Sequence, residues 1–314
     1  EIMPATLAPE LINGLLRGKL GFNGMVITDS STMAGMCIAM DRRKAVPYAI
    51  ASGCDMFLFT KNLDEDYSFM EEGIEKGILT QERLNEAVTR ILGLKAALRL
   101  HEKKEDSTIA DVKKAGEIIG CDKHVKIEKD CADKGITLVK DKQNLIPVSP
   151  EKYKRVLLYV LKSGESAFGS GGGEDIGQIF SEALHREGFM VDIFKGGKGF
   201  EGMAEPFAAV AEKYDLIIYA ANLITKSNQT TIRIEWENPM GVNCPFYQSV
   251  IPTVFISFAN PYHLIDVPRI RTYINAYKFK DETVKAVIDK IMGRSEFKGK
   301  SPVDAFCGMW DTHL

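Results

Sequence analysis

The chain has 314 residues, 45% hydrophobic and 26% charged, with a formal net charge of −3. That length and composition suit one or two globular domains with sizeable cores. The charge balance argues against a nucleic-acid or anionic-membrane partner, and no apolar run reaches the length of a membrane span. The six cysteines (Cys37, Cys54, Cys121, Cys131, Cys244, Cys307) form no Cys-x-x-Cys pair. No zinc site, other metal, cofactor or disulfide framework is therefore expected, and free thiols in a reducing, cytoplasmic setting are.

In chain order, residues 9–20 are expected to form an amphipathic helix opening at Pro9, with Leu11, Ile12, Leu15, Leu16 and Leu20 near helical spacing. Met25-Val26-Ile27-Thr28-Asp29 follows as a short apolar strand ending on a carboxylate. Residues 42–52 are expected to be helical, with Pro47 as a kink or start. Gly53 ends that helix, and residues 55–59 (DMFLF) are expected to be a second buried strand. Helices are expected near 63–76 and 80–99, the latter capped by Thr80 with Glu82 in its first turn. Residues 1–100 thus contain two βα units, and the charged stretch 101–115 is expected to be a linker.

The second half alternates more regularly. A helix is expected over 123–135 and a strand over 136–140. Further strands at 155–161, 189–194, 215–221, 252–258 and 270–276 alternate with helices near 175–187, 203–213 and 281–292. That pattern predicts, over residues 116–314, a doubly wound α/β sandwich with a mainly parallel sheet.

Asp29 is the most informative residue. A carboxylate where a parallel strand meets its following loop, flanked by Thr28, Ser30, Ser31 and Thr32, is a candidate nucleophile or general base. By spacing alone it equally suits an Asp that caps the next helix or turn. Pro4-Ala5-Thr6, the run Leu16-Arg17-Gly18-Lys19-Leu20-Gly21-Phe22-Asn23-Gly24, and Val26-Ile27-Thr28-Asp29 occur in this order. Together they resemble the segment around the nucleophile of glycoside hydrolase family 3, and the segments 260–268 (NPYHLIDVP) and 301–314 (SPVDAFCGMWDTHL) resemble its β-N-acetylhexosaminidase-like branch.

The resemblance implies a retaining β-glycosidase whose nucleophile is Asp29, with Met33 near the sugar and a carbohydrate as substrate. It implies that residues 1–100 are the last two βα units of a (β/α)8 barrel, seen in a truncated chain whose missing N-terminal barrel half, or a second copy, completes it. The 314 residues alone are then expected to be inactive. Alternatives are a non-catalytic α/β accessory module and a receiver domain with Asp29 as phospho-acceptor, though the latter leaves the Pro-Ala-Thr and Gly-Phe-x-Gly segments unexplained.

Retaining glycosidases need a second group that protonates the leaving oxygen and later deprotonates water. In the hexosaminidase branch it is a His with an Asp two residues before it, on a loop expected upstream of residue 1. Asp122-Lys123-His124 and Asp311-Thr312-His313 show the same spacing, but the first is expected to open a helix with Asp122 as N-cap and the second lies in the tail. His101, His185 and His263 have no such Asp and are expected to be structural. In the glucosidase branch the group is a Glu from the second domain, for which Glu235 and Glu237 are candidates. Asp55, two residues after Gly53, is expected to be a structural hydrogen-bonding residue, and Asn260 to shape the Asn260-Pro261 turn. The loop Gly169-Ser170-Gly171-Gly172-Gly173 fits neither Gly-x-Gly-x-x-Gly nor a P-loop.

Overall fold

The computed structural model describes residues 3–103, 111–163, 175–196, 205–225, 233–237 and 241–314. The chain divides into two compact units, Glu1–Ala115 and Gly116–Leu314.

The first unit is mainly helical. Glu10–Lys19 is a wide helix, with Leu20 N donating to Leu15 O at 2.9 Å, five residues back. The wider turn breaks the expected apolar stripe: Ile12 is buried, whereas Leu11 and Leu15 are exposed. Helices α1 (Ala34–Ala39), α2 (Arg42–Ala51), α3 (Leu63–Glu75) and α4 (Gln81–Ala97) follow. Side chains of Asp41, Asn62 and Thr80 cap α2, α3 and α4 by accepting the N–H of Arg43, Glu65 and Arg83. Pro47 lies inside α2 and is buried. Its ring packs where a Cβ on Gly73 of α3 would collide with it, so α3 needs glycine there.

The expected strands at 25–29 and 55–59 are not formed as ladders. They meet in one parallel bridge, Ile27 with Met56. The physical reason is the lack of flanking partners. Parallel strands are stable when covered and paired on both sides, and here Ile27, Leu58 and Phe59 remain exposed.

The second unit contains α6 (Asp122–Gly135), β1 (Thr137–Asp141), β2 (Arg155–Lys162), α7 (Ile176–Arg186), β3 (Met190–Ile193), α8 (Phe207–Lys213), β4 (Leu216–Asn222), β5 (Thr253–Ser257), β6 (Thr272–Asn275) and α9 (Asp281–Ile291). Helix α5 (Val112–Ile118) begins inside the expected linker. Asp122 is the first residue of α6 and Cys121 its N-cap, so Asp122 is not the expected cap.

The six strands form one mixed sheet in the order β1-β6-β5-β4-β2-β3. All pairs are parallel except β1 with β6. Side chains alternate between two buried clusters. Val156, Leu158, Leu216, Ile218, Val254 and Ile256 join one; Leu157, Tyr159, Ile217, Tyr219 and Phe255 join the other. On the second face the register stacks Tyr159 on Tyr219 at 4.5 Å, Tyr219 on Phe255 at 5.6 Å and Phe255 on Tyr273 at 5.4 Å. These cross-strand aromatic pairs fix the register of β2, β4, β5 and β6. No helix among the described residues is long and apolar enough to cross a membrane.

Candidate active site

The site is built in the first unit, where two short segments run side by side. Val26 O accepts from Asp55 N at 2.8 Å, Thr28 N donates to Met56 O at 2.9 Å, and Ser31 N donates to Phe59 O at 2.9 Å. Asp29 lies between the last two of these hydrogen bonds, exposed. Its Oδ1 accepts the Ser30 N–H at 2.6 Å. Its other carboxylate oxygen takes no hydrogen bond from the described residues. One oxygen is thus held by the backbone and the other is open to a ligand.

The loop after Asp29 is anchored from below. Ser31 is fully buried. Its hydroxyl donates to Asp66 Oδ2 at 2.7 Å and accepts the Lys61 N–H at 2.9 Å. Asp66, buried in the first turn of α3, pairs with Arg42 Nη2, and Arg42 Nη1 reaches Glu65 Oε2 at 2.5 Å. Burial works against the Arg42 guanidinium, but hydrogen bonds and charges of Glu65 and Asp66 outweigh it and raise its pKa. Ser30 Oγ and Thr32 Oγ1 lie 2.8 Å apart on the exposed side of the loop. Met33 follows at the N-cap of α1, half-buried against the apolar cluster that contains Leu7, Met36, Ala45, Val46 and Ala49.

Asp55 anchors the other segment, in the structural role its sequence position suggests. Its side chain is fully shielded and takes Arg17 Nη2 at 2.7 Å, Arg83 Nη2 at 2.5 Å, Arg90 Nη1 at 3.2 Å and the Val26 N–H at 2.9 Å. Burial alone would raise its pKa. The Val26 N–H, the Arg83 hydrogen bond and the charges of Arg17 and Arg83 outweigh burial and hold it below the usual aspartate range. Gly53 has φ +120°, and a Cβ there would collide with Asn13 and Ile12 of the wide helix. Its carbonyl accepts Arg17 Nη2 at 3.2 Å. Beside it, burial and the Asp55 charge push the Cys54 thiol up to about 11, which keeps it protonated and unreactive.

The histidines are placed apart from Asp29 in their bonding. His101 meets Glu102 at 3.5 Å, His185 Nδ1 meets Phe189 O at 3.0 Å, and His313 stacks on Phe306 at 3.8 Å. His263 is fully buried with Nδ1 3.6 Å from Asp266. His124 is exposed on α6. Glu235 and Glu237 are exposed in the second unit, and Asn243 Oδ1 accepts the Glu237 N–H at 2.8 Å. Asn260 Oδ1 accepts the Tyr262 N–H at 2.9 Å, the turn-shaping role expected of it. The glycine-rich loop at 169–173 lies outside the described residues. No group of three or more His, Cys, Asp or Glu that could hold a metal is found among the described residues.

Sequence reasoning missed Asp66, Arg42 and the three arginines around Asp55. Asp66 sits among Asp64 and Glu65 just after the Asn62 cap, where acids simply favour the helix dipole, so nothing marked it out.

Comparison with known proteins adds four findings. Residues 1–94 match the family model described as "Glycosyl hydrolase family 3 N terminal domain". A "Beta-N-acetylglucosaminidase/beta-glucosidase" of Cellulomonas fimi is 49% identical over 314 residues, covering 100% of this chain and 55% of that protein. A solved "Beta-glucoside phosphorylase BglX" is 44% identical with a TM-score of 0.81, covering 99% of this chain and 54% of that one. A glycoside hydrolase family 3 β-N-acetylglucosaminidase from Paenibacillus sp. str. FPU-7, 18% identical with a TM-score of 0.66, covers 97% and 56% and shares the fold. The chain therefore spans about half the length of these relatives.

Proposed function

This chain belongs to glycoside hydrolase family 3, and on that premise we propose that it carries the nucleophile of a retaining β-glycosidase acting on β-N-acetylhexosaminides or β-glucosides. The observation that carries the reading is Asp29. It is exposed between the Thr28 and Ser31 hydrogen bonds of two paired segments, with one carboxylate oxygen fixed by Ser30 N and the other taking no hydrogen bond from the described residues. The free oxygen attacks the anomeric carbon, the bond to the leaving oxygen breaks, and an acid delivers a proton to that oxygen. The resulting glycosyl ester on Asp29 is then cleaved by water, which loses its proton to the same group acting as base.

The acid/base is assigned to residues outside these 314. The resemblance to the hexosaminidase branch supports this, because its acid/base His lies on a loop that precedes the nucleophile strand. In the same reading, the first unit is the last two βα units of a (β/α)8 barrel and the second a doubly wound sandwich. The exposed Ile27, Leu58 and Phe59 support this, as surfaces that further barrel strands would cover. The six unpaired cysteines support a reducing, cytoplasmic setting.

A second reading has one specific support. The 44% identical solved structure bears the name of a β-glucoside phosphorylase. In that case phosphate replaces water in the second step, and the product is a sugar 1-phosphate. Assaying the full-length protein on nitrophenyl N-acetyl-β-glucosaminide and nitrophenyl β-glucoside, with and without phosphate, separates the readings. Turnover independent of phosphate supports hydrolysis, and phosphate-dependent turnover with sugar 1-phosphate as product supports phosphorolysis. Activity unchanged in Asp29→Asn contradicts both.

A further inference from the structure

Among the described residues, three cations of the second unit make no ion pair. Asp141 of β1 pairs with Thr272 of β6 in an antiparallel ladder. One step further, Lys142 N donates to Arg271 O at 2.8 Å. Lys142 and Arg271 are thus direct cross-strand neighbours, where side chains stand about 5 Å apart at Cβ and like charges destabilise the pair. Arg269 is exposed two residues earlier, with Ile270 buried between. Among the described residues, no carboxylate comes within ion-pairing distance of any of the three. Other cations near strand ends in this unit are paired in some places, as Arg155 is with Asp215 at 2.6 Å, and exposed without an ion pair among the described residues in others, as Lys162 and Lys195 are.

The same three residues line a cavity of about 480 Å³, together with Phe246, Gln248 and the last residue, Leu314, and with no Asp or Glu side chain in the lining. That size lies in the range of small-molecule sites. The Gln248 carbonyl oxygen is shielded from solvent and has no hydrogen-bond partner. An unpaired amide acceptor gains by turning toward a ligand hydroxyl. Half-buried Phe246 adds an apolar wall. Behind the cavity, burial, followed by the charge of Lys142, lowers the pKa of Lys140, against the opposing charge of Asp311.

We propose that this cavity, at the edge where β1 ends and β6 begins, binds a small phosphorylated sugar. The phosphate dianion is held by Lys142, Arg271 and Arg269, for which the guanidinium fork is well shaped. A sugar hydroxyl donates to Gln248, and the apolar face of the ring lies against Phe246. The site is independent of Asp29 and does not rest on the assigned activity.

The test is calorimetric titration of the full-length protein with glucose 6-phosphate, inorganic phosphate and glucose. Glucose 6-phosphate is expected to bind saturably, and the Lys142→Gln/Arg271→Gln double variant to weaken it by about tenfold or more. Inorganic phosphate is expected to bind more weakly than the sugar phosphate, and Gln248→Leu to remove that difference. Any glucose binding is expected to be the same in the double variant. Without ligand, the double variant is expected to melt no lower than the parent, because it relieves a like-charge pair. Four results overturn the proposal: no saturable binding of glucose 6-phosphate, binding unchanged in the double variant, phosphate alone binding as tightly as the sugar phosphate, or a double variant that melts several degrees lower.

Discussion

Ser31 Oγ donates to Asp66 Oδ2 at 2.7 Å, tying the loop that carries Asp29 to the first turn of α3. Asp66 is in turn held by Arg42, so the position of the proposed nucleophile depends on a buried polar chain and not on sheet pairing alone. Ser31→Ala leaves a buried carboxylate with one partner fewer, which costs about 1–3 kcal/mol. In the full-length enzyme it is expected to lower kcat by up to about 10²-fold with little change in KM, because a misplaced nucleophile loses rate more than binding. Steady-state kinetics with a thermal melt check this. A lowered melting temperature with kcat intact would give Ser31 a purely structural role.

Asp55 predicts an acid sensitivity. Its folded pKa is depressed, so its contribution is present above the unfolded aspartate value, about pH 4, and is lost as pH falls through the lower folded value. Asp55→Asn is expected to destabilise the protein at neutral pH, leaving three arginines without their carboxylate, by about 3–5 kcal/mol. It is also expected to flatten the loss of stability below about pH 4. Denaturant titrations of both proteins between neutral pH and acid measure this; parallel pH curves would contradict it.

Much of the second unit is legible in the sequence, and the reason is physical. Strands buried on both faces read as apolar runs such as Val156-Leu157-Leu158-Tyr159 and Leu216-Ile217-Ile218-Tyr219. The first unit is legible in its helices and in the place of Asp29. Its strands are not, because a ladder depends on neighbours that the local pattern of 25–29 and 55–59 does not encode. The supports of the site are also hidden. Arg17, Arg83 and Arg90 converge on Asp55 from separate elements, and no spacing in the sequence announces that convergence.

The charged stretch 101–115 is proposed as the boundary between the two folding units. Limited proteolysis is expected to cut there first and to leave a folded piece beginning near residue 116. Mass spectrometry of the early fragments reads the site, and first cuts inside 155–290 would count against the boundary.

The central claim is that Asp29 forms the covalent glycosyl ester. The direct measurement is to treat the full-length enzyme with a fluorinated-sugar inactivator, which slows release of the intermediate, and to locate the modified residue by peptide mass spectrometry. The account predicts a single label on Asp29, with Asp29→Asn unlabelled and nearly without turnover, since an amide cannot form the ester. A label on another carboxylate, with Asp29→Asn still active, would contradict it.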